Sequence, residues 1–509
     1  MPKDATIDSL PDGWQRCRLP QFVALEMGQS PPSRTYNDQG DGLPFFQGKA
    51  EFGELYPSIA KYCSEPKKVA QSGATLLSVR APVGPTNLAP EECCIGRGLA
   101  AIHPEGPIDP KFVLYLFRAM EPDLSSAGTG STFKAISKSF LQGLEVDLPP
   151  LAEQHRLVAK IEELLSELDK GVESLQTAQA QLEVYRQALL KHAFEGKLTA
   201  DWREKNPDRL ETAEETIRRV TQARQATYEE QVEAWKRTVA EWEADGKAGR
   251  KPSKPRVPKR LSPLDRRTRN DLPDAPEGWA WDRLGWMTCG VEYGTSAKSA
   301  EVGRVTVLRM GNLQNARLDW SDLAYTSDED EIARYQLRAG DVLFNRTNSP
   351  ELVGKTAIYR GERDAIFAGY LIRVNHMPSV VDGQYLNLFL NSYVARRYGN
   401  EVKTDGVNQS NINGQKLMGY PFPYCSIEEQ REVVRLLDEK LSLIDKTDAE
   451  LGLALRQASQ LRYSILARAF RGELTPQDPN DEPASVLLER IRAGRDAETN
   501  SNKKRKAAS

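Results

Sequence analysis

Two stretches of this chain carry the same hydrophobic rhythm. Leu157, Val158, Ile161, Leu164, Leu165, Leu168, Val172, Leu175, Ala178, Leu182, Tyr185 and Leu189 recur at steps of three and four. Val433, Val434, Leu437, Leu441, Ile444, Leu451, Leu455 and Ile465 do the same further on. That spacing puts an apolar seam on one helix face and predicts two long helices, each packed against a partner helix. At 1.5 Å per residue, a helix from Glu153 to Phe194 is about 60 Å long. Pro149-Pro150 before the first stretch, and Gly196 and Gly472 after the two, are boundary signals. The stretches are copies. Residues Glu153–Thr199 align without a gap to Glu429–Thr475, with 18 identities in 47 positions at a constant offset of 276, and both end in AFxGxLT.

The segments ahead of each helix echo one another as well. LPDGWQRCRL (10–19) matches APEGWAWDRL (275–284), and SGATLLSVR (72–80) resembles AGDVLFNRT (339–347). GTGSTFKAISKSFLQGLEVDLP (128–149) faces DGVNQSNINGQKLMGYPFPYC (405–425) at the same offset as the helices. Short apolar runs such as ATLLSV, VTVLRM, DVLFN and YLIRV, broken by Gly, Pro, Asn and Asp, predict mixed strand-and-turn globules. The expected fold is α+β: two mixed α/β globules joined by two long antiparallel coiled-coil helices in a pseudo-twofold internal repeat. The expected boundaries are a first globule over 1–150, a central long helix over 151–204 and a charged insert over 205–272. A second globule follows over 273–426, then a distal long helix over 427–476 and a C-terminal helix with a disordered basic tail over 477–509.

The insert has no copy. Within it, 211–244 is densely charged and predicts a solvated helical hairpin. Lys247–Arg269 then holds ten Lys/Arg against Asp265 alone, with Pro252, Pro255, Pro258 and Pro263 keeping it extended. Two readings stand for this segment, a solvated tether or an arm touching phosphates.

Length and composition narrow the class. The 509 residues are enough for three or four units, and 39% hydrophobic with 28% charged residues is a globular composition. Apolar runs fall far short of the roughly 20 residues a membrane helix needs. The first ten residues have no apolar core of a secretory signal, so a cytoplasmic protein without membrane contact is expected. Sixty-nine basic against 72 acidic residues leave a charge of −3, so any nucleic-acid face must arise locally. Six cysteines without a CxxC pair predict free thiols. Four scattered histidines predict no zinc site.

Catalytic motifs fail on physical grounds. SPELVGKT (349–356) has Ser349 where a phosphate loop needs its first glycine for the turn. PFPY (421–424) lacks the Asn or Asp that binds a target amine in amino-methylating enzymes, and short matches such as Glu401-Val402-Lys403 are too common to count. The chain is expected to bind and position, with no cofactor of its own.

Two dissimilar globules on two matching helices, with Pro149, Pro150, Glu153 and Gln154, then Pro423, Glu429 and Gln430, resemble the specificity subunits of type I restriction–modification systems. The AFxGxLT endings (Ala193–Thr199 and Ala469–Thr475) and the Gly13-Trp14 and Gly278-Trp279 openings carry the same resemblance, which spans nearly the whole chain. It implies that each globule is a target-recognition domain reading one half of a bipartite, asymmetric site in double-stranded DNA. It further implies that the helices fix the spacing and dock two methylation subunits, that restriction/translocase subunits join them, and that S-adenosylmethionine, ATP and Mg belong to those partners. The insert 205–272 exceeds what this pattern needs. A second reading is a coiled-coil scaffold or adaptor without sequence-specific DNA binding.

Base edges are read by Arg, Lys, Asn, Gln, Ser and Thr on loops. The first globule offers Gln29, Ser30, Arg34, Tyr36, Gln47, Lys49, Ser78 and Arg80, and then Ser131, Thr132 and Lys134. The second offers 293–298, Arg309, Asn312 and Asn345, then Arg346, Thr347 and Asn348, and the polar run with Asn408, Gln409, Ser410 and Asn411. The runs at 128–134 and 406–413 occupy matching places before the two helices and are the foremost candidates.

Overall fold

The computed structural model describes residues 10–128, 135–247, 249 and 251–508, with side chains as far as 497. The chain divides into two compact units, Met1–Thr177 with Leu451–Ser509, and Ala178–Glu450. These units do not follow the linear boundaries expected above, because each long helix contributes to both.

In the first unit, strand Gln15–Arg18 pairs antiparallel with Glu145–Leu148 and closes the globule at the foot of the helix that follows. A four-stranded antiparallel sheet runs in the order Val23–Met27, Leu99–Pro104, Thr75–Ser78, Thr86–Leu88. Helix Pro110–Ala119 packs on it through Phe112, Val113 and Leu116, and Asp109 caps its start by accepting from the Lys111 amide at 2.8 Å. A five-stranded sheet in the order Tyr36–Asn37, Tyr62–Cys63, Leu43–Phe46, Cys93–Ile95, Val69–Ala70 completes the globule.

The second unit repeats the plan. Ala280–Arg283 pairs with Pro421–Tyr424. Its four-stranded sheet is ordered Thr288–Tyr293, Leu371–His376, Val342–Asn345, Thr356–Ile358. Helix Gly383–Leu390, capped by Asp382, takes the place of Pro110–Ala119. A separate three-stranded sheet holds Val305–Leu308 between Ala324–Thr326 and Ala365–Phe367.

The long helices span Leu151–Phe194 and Ile427–Ala469. In the second unit Gln179 contacts Asp448 and Arg186 contacts Asp445, so rising numbers on one segment meet falling numbers on the other: the pair is antiparallel. In the first unit Asp169 meets Arg462. Asp169 and Asp445, like Arg186 and Arg462, are repeat partners, so one ion pair is made twice. The helix ends cross over: Phe194 leaves the first copy and packs edge-on against Tyr385 and Phe389 of the second globule at 5.2 and 5.3 Å. Phe470 packs against Phe112 of the first globule at 5.5 Å. Burying a phenylalanine in this way contributes about 1.5–3 kcal/mol.

Two expectations need correction. Residues 211–244 form no hairpin but one helix, Ala213–Ala244, opened by a Thr212/Glu215 capping box. Its half-buried stripe of Tyr228, Val232, Trp235, Val239 and Trp242 is covered by the returning proline-rich segment rather than by a second helix. The C-terminal region is likewise helical from Ala484 to Ala508, including the part expected to lack structure. Its Ala484, Leu487 and Ile491 are buried in the first unit's core.

Candidate nucleic-acid interface

In both globules the chain that follows the polar run, ahead of the long helix, returns to the same place, the end of a central sheet strand. The Ile136 amide donates to the Val79 carbonyl at 3.1 Å, and the Ile412 amide donates to that of Arg346 at 2.9 Å. Arg80 bridges Ala135, and Thr347 bridges Asn411. The chain thus presents residues after a buried strand beside a polar loop, twice. Backbone pairing, independent of side-chain identity, lets dissimilar loops share one seat.

In the second globule this loop is a β-hairpin. Thr404–Asp405 pairs with Ser410–Asn411, which pairs in turn with Thr347–Asn348. The tip closes through the Gly406 amide donating to the Gln409 carbonyl at 2.7 Å, and Val407 at the tip is fully exposed. Asn408 and Gln409 beside it are exposed. Ser410 and Asn411 hold the hairpin: Ser410 is buried with its hydroxyl on Asp405, and Asn411 donates to the Thr347 hydroxyl at 2.7 Å. Asn348 accepts from the Ser349 amide at 2.8 Å. Arg346 lies over the ring of Tyr293 at 5.0 Å and donates to the Gly369 carbonyl. Its aromatic seat is tied down because the Tyr293 hydroxyl accepts from the Gly414 amide at 2.8 Å. The major groove of B-DNA admits a two-stranded β-ribbon.

Two candidates do not join this cluster. Asn312 is buried, accepts from the Arg309 amide and donates to the Asp319 and Asp322 carbonyls at 2.9 and 2.8 Å. Every polar atom of that side chain is engaged in holding its own loop, so the expectation that it contacts DNA is corrected. Arg309 pairs with Asp322 at 3.0 Å, in the turn after the separate sheet strand Val305–Leu308. Ser410 is corrected for the same reason as Asn312: a buried hydroxyl spent on Asp405 cannot reach a base.

In the first globule Gln29, Arg34, Lys49 and Arg80 are exposed. Ser30 accepts from the Arg97 amide at 3.2 Å. Tyr36 is structural: it stacks on Phe45 at 4.5 Å and donates to the Pro31 carbonyl. Burial raises its hydroxyl pKa. Ser131, Thr132 and Lys134 lie outside the described residues. Arg97 and the half-exposed Tyr370, whose carbonyl receives the Arg346 amide, are not singled out by sequence reasoning. Their signal is an arginine between two glycines, GRG, and a tyrosine directly after one, AGYL.

Around the helix starts, the repeated EQ pairs anchor the chain. Gln154 donates to the Pro149 carbonyl and Gln430 to that of Cys425, each five residues back. Buried Glu153 accepts from the Trp14 indole at 2.9 Å and from Gln477 at 3.2 Å; burial raises its pKa, against the pull of these hydrogen bonds. Buried Glu429 accepts from Thr199 at 2.7 Å and Arg203 at 2.6 Å. Among the described residues, no group of three or more His, Cys, Asp or Glu is placed to hold a metal ion, and no helix is long and apolar enough to cross a membrane.

Residues 11–184 match the model of the type I restriction modification DNA specificity domain. A Methanocaldococcus jannaschii protein, provisionally named the type I restriction enzyme MjaX specificity subunit, is 38% identical over 199 residues, 38% of this chain and 46% of the relative. The StySPI specificity subunit of Salmonella potsdam is 23% identical over 513 residues, 96% of each chain. The crystal structure of the HsdS subunit from Thermoanaerobacter tengcongensis is 46% identical over 38% of this chain and 48% of its own, with a TM-score of 0.32. Alignment thus spans about half the length of the first and last of these. Residues 11–184 are thus similar to the DNA specificity domain of type I restriction modification systems, and the similarity to specificity subunits extends along the chain at lower identity.

Proposed function

We propose that this chain supplies the DNA-sequence specificity of a type I restriction–modification complex and carries out no catalysis itself. Each globule reads one half of an asymmetric, bipartite target in double-stranded DNA. The observation that carries this reading is the doubled seat: Val79–Arg80 with Ala135–Ile136, and Arg346–Thr347 with Asn411–Ile412, present dissimilar polar loops from equivalent backbone. Same seat and different loop are what a two-part, non-palindromic reader needs.

Asn408 and Gln409 are proposed as base-reading groups of the second half-site, with Arg346 and Thr347 beside them; Arg80 and the loop 128–134 serve the first. Gln29, Ser30, Arg34 and Lys49 are proposed as contacts to the first half-site or its phosphates. The long helices, each continuous and shared by both units, set the spacing of the half-sites and dock two methylation subunits. Restriction/translocase subunits join that complex. S-adenosylmethionine, ATP and Mg act on those partners, in the cytoplasm where the DNA is. The match of 11–184 to a DNA specificity domain does not favour the adaptor reading.

A domain exchange tests the proposal. Replacing 273–426 with the matching segment of a relative that has a different target changes one half of the methylated sequence and leaves the other half and the gap unchanged. Alteration of both halves, or of neither, would refute it.

A further inference from the structure

The insert absent from the repeat is a built structure. Helix Ala213–Ala244 ends in a reversal: the Lys247 amide donates to the Trp242 carbonyl at 2.8 Å, and Gly246, Lys247 and Gly249 all take positive φ. The chain then runs back along the helix. Pro252, Pro255 and Pro258 are half-buried, whereas 251, 253, 254, 256, 257, 259 and 260 are exposed. A three-residue period with proline on the inner edge is the pattern of a polyproline II strand. Trp235 donates to the Pro252 carbonyl at 3.0 Å, Lys254 lies over the Trp235 ring and Lys251 over that of Trp242, each at 5.9 Å. The base is fastened to the second globule. Arg224 donates to the Gly285 and Trp286 carbonyls at 3.0 and 3.1 Å, and Arg260 pairs with Asp282 at 3.2 Å.

Along the strand itself, from 251 to 260, the exposed charged side chains are all cationic. Lys251, Lys254, Arg256 and Lys259 form no ion pair among the described residues. Within the helix Glu233 pairs with Lys236 and Glu229 accepts from Gln225, while the exposed Glu230, Glu241, Glu243 and Asp245 form no ion pair with the four cations among the described residues. From Lys251 to Arg260 a polyproline strand extends about 28 Å at 3.1 Å per residue, the rise of about eight base pairs. Proline holds it straight, so little chain entropy is lost when it meets a linear polyanion.

We propose that this arm is a sequence-independent clamp on the DNA backbone, in which Lys251, Lys254, Arg256 and Lys259 neutralise phosphates. It rests on the DNA-reading function above but adds a surface outside both target-reading loops.

The test uses the full chain in complex with its methylation subunits. Affinity for target and scrambled duplexes is measured between 50 and 200 mM salt, for the native chain and for Lys251→Gln, Lys254→Gln, Arg256→Gln and Lys259→Gln combined. Removing four phosphate-neutralising charges lowers the slope of log affinity against log salt by about 3.6, so the affinity ratio between the two salts shrinks about 150-fold. The target-over-scrambled preference stays the same. A variant with arginine at 251, 254 and 259 keeps the native slope and shows that the charge matters, not the packing. An unchanged slope overturns the arm, as does loss of a methylation subunit at unchanged DNA affinity, which would make the strip a protein contact. A native complex with no sequence preference overturns the function proposed above, while its salt slope still decides on the arm.

Discussion

Thr199, the last residue of the AFxGxLT ending of the first copy, donates its hydroxyl to Glu429, the glutamate of the EQ pair that opens the second, at 2.7 Å. The same relation holds in reverse: Thr475 donates to Glu153 at 3.4 Å. The two most recognisable motifs of the repeat are therefore one device, assembled from opposite copies. Each carboxylate is buried, and a hydrogen bond to a buried charge contributes about 1.5–3 kcal/mol. Thr199→Val is expected to lower unfolding stability by that amount, read by urea denaturation. Thr475→Val costs less, because its bond is longer and Trp14 and Gln477 also serve Glu153. Equal, negligible effects would show the motif is not a brace.

Glu429 also holds Arg203 at 2.6 Å, both side chains being largely buried. Removing one partner of such a pair leaves a stranded charge and costs about 3–5 kcal/mol. Glu429→Ala therefore destabilises the chain more than Thr199→Val does. A Glu429→Ala, Arg203→Ala double variant recovers part of the loss, which a thermodynamic cycle measures.

On the proposed function, the hairpin tip separates reading from support. Asn408→Ala with Gln409→Ala leaves the fold intact and lowers affinity for one half-site, by about 1–3 kcal/mol for each bidentate pairing with a base that is removed. Ser410→Ala acts differently: it frees Asp405 and loosens the hairpin. Methylation of DNA carrying single-base changes in each half distinguishes the two, since only the tip variant relaxes discrimination at a few positions of one half.

The long helices, the repeat and the strand-rich globules are legible in the sequence because period and self-similarity are local signals. The crossing of the motifs is not: two copies of AFxGxLT give no sign of which EQ pair each one meets, and Phe194 joins the second globule only because the helices are antiparallel. Polar turn residues mislead for a related reason. Asn312 and Ser410 look like loop donors, but an Asn or Ser in a tight loop is often consumed by the loop itself. The insert departs from the expected hairpin because the stripe from Tyr228 to Trp242, which suggests a second helix, is covered by a proline strand instead.

Acid weakens the fold through two matching histidines. His103 and His376 lie in the last two residues of equivalent sheet strands, and burial lowers the pKa of both imidazoles. His376 lies against the first turn of Gly383–Leu390, where a Cβ on Gly383 would come within 3.0 Å of its Nε2. A lowered folded pKa means that the unfolded chain binds more protons. The stability is therefore complete above the ordinary imidazole value of about 6.5 and is lost as pH falls below it. Melting temperature is expected to drop between pH 7 and pH 5, and His103→Gln with His376→Gln to flatten the drop. An equal drop in that variant would assign it to other groups.

The thiols are expected to be nearly silent. Burial pushes Cys17, Cys93 and Cys94 up to about 12, and Cys63 and Cys425 are buried too; Cys289 alone is part-exposed. A thiol-reactive chromogenic reagent at neutral pH should titrate at most one group in the native chain and six after denaturation. Fast reaction of several would contradict this packing.

The central claim is that one chain reads two unlike half-sites. Its most direct test is selection from a randomised duplex library by the chain together with the methylation subunits of its own operon, at moderate salt. The account predicts enrichment of two different short motifs separated by a gap of fixed length and unread sequence. A single motif, a palindrome, or no enrichment with the partners present would contradict it.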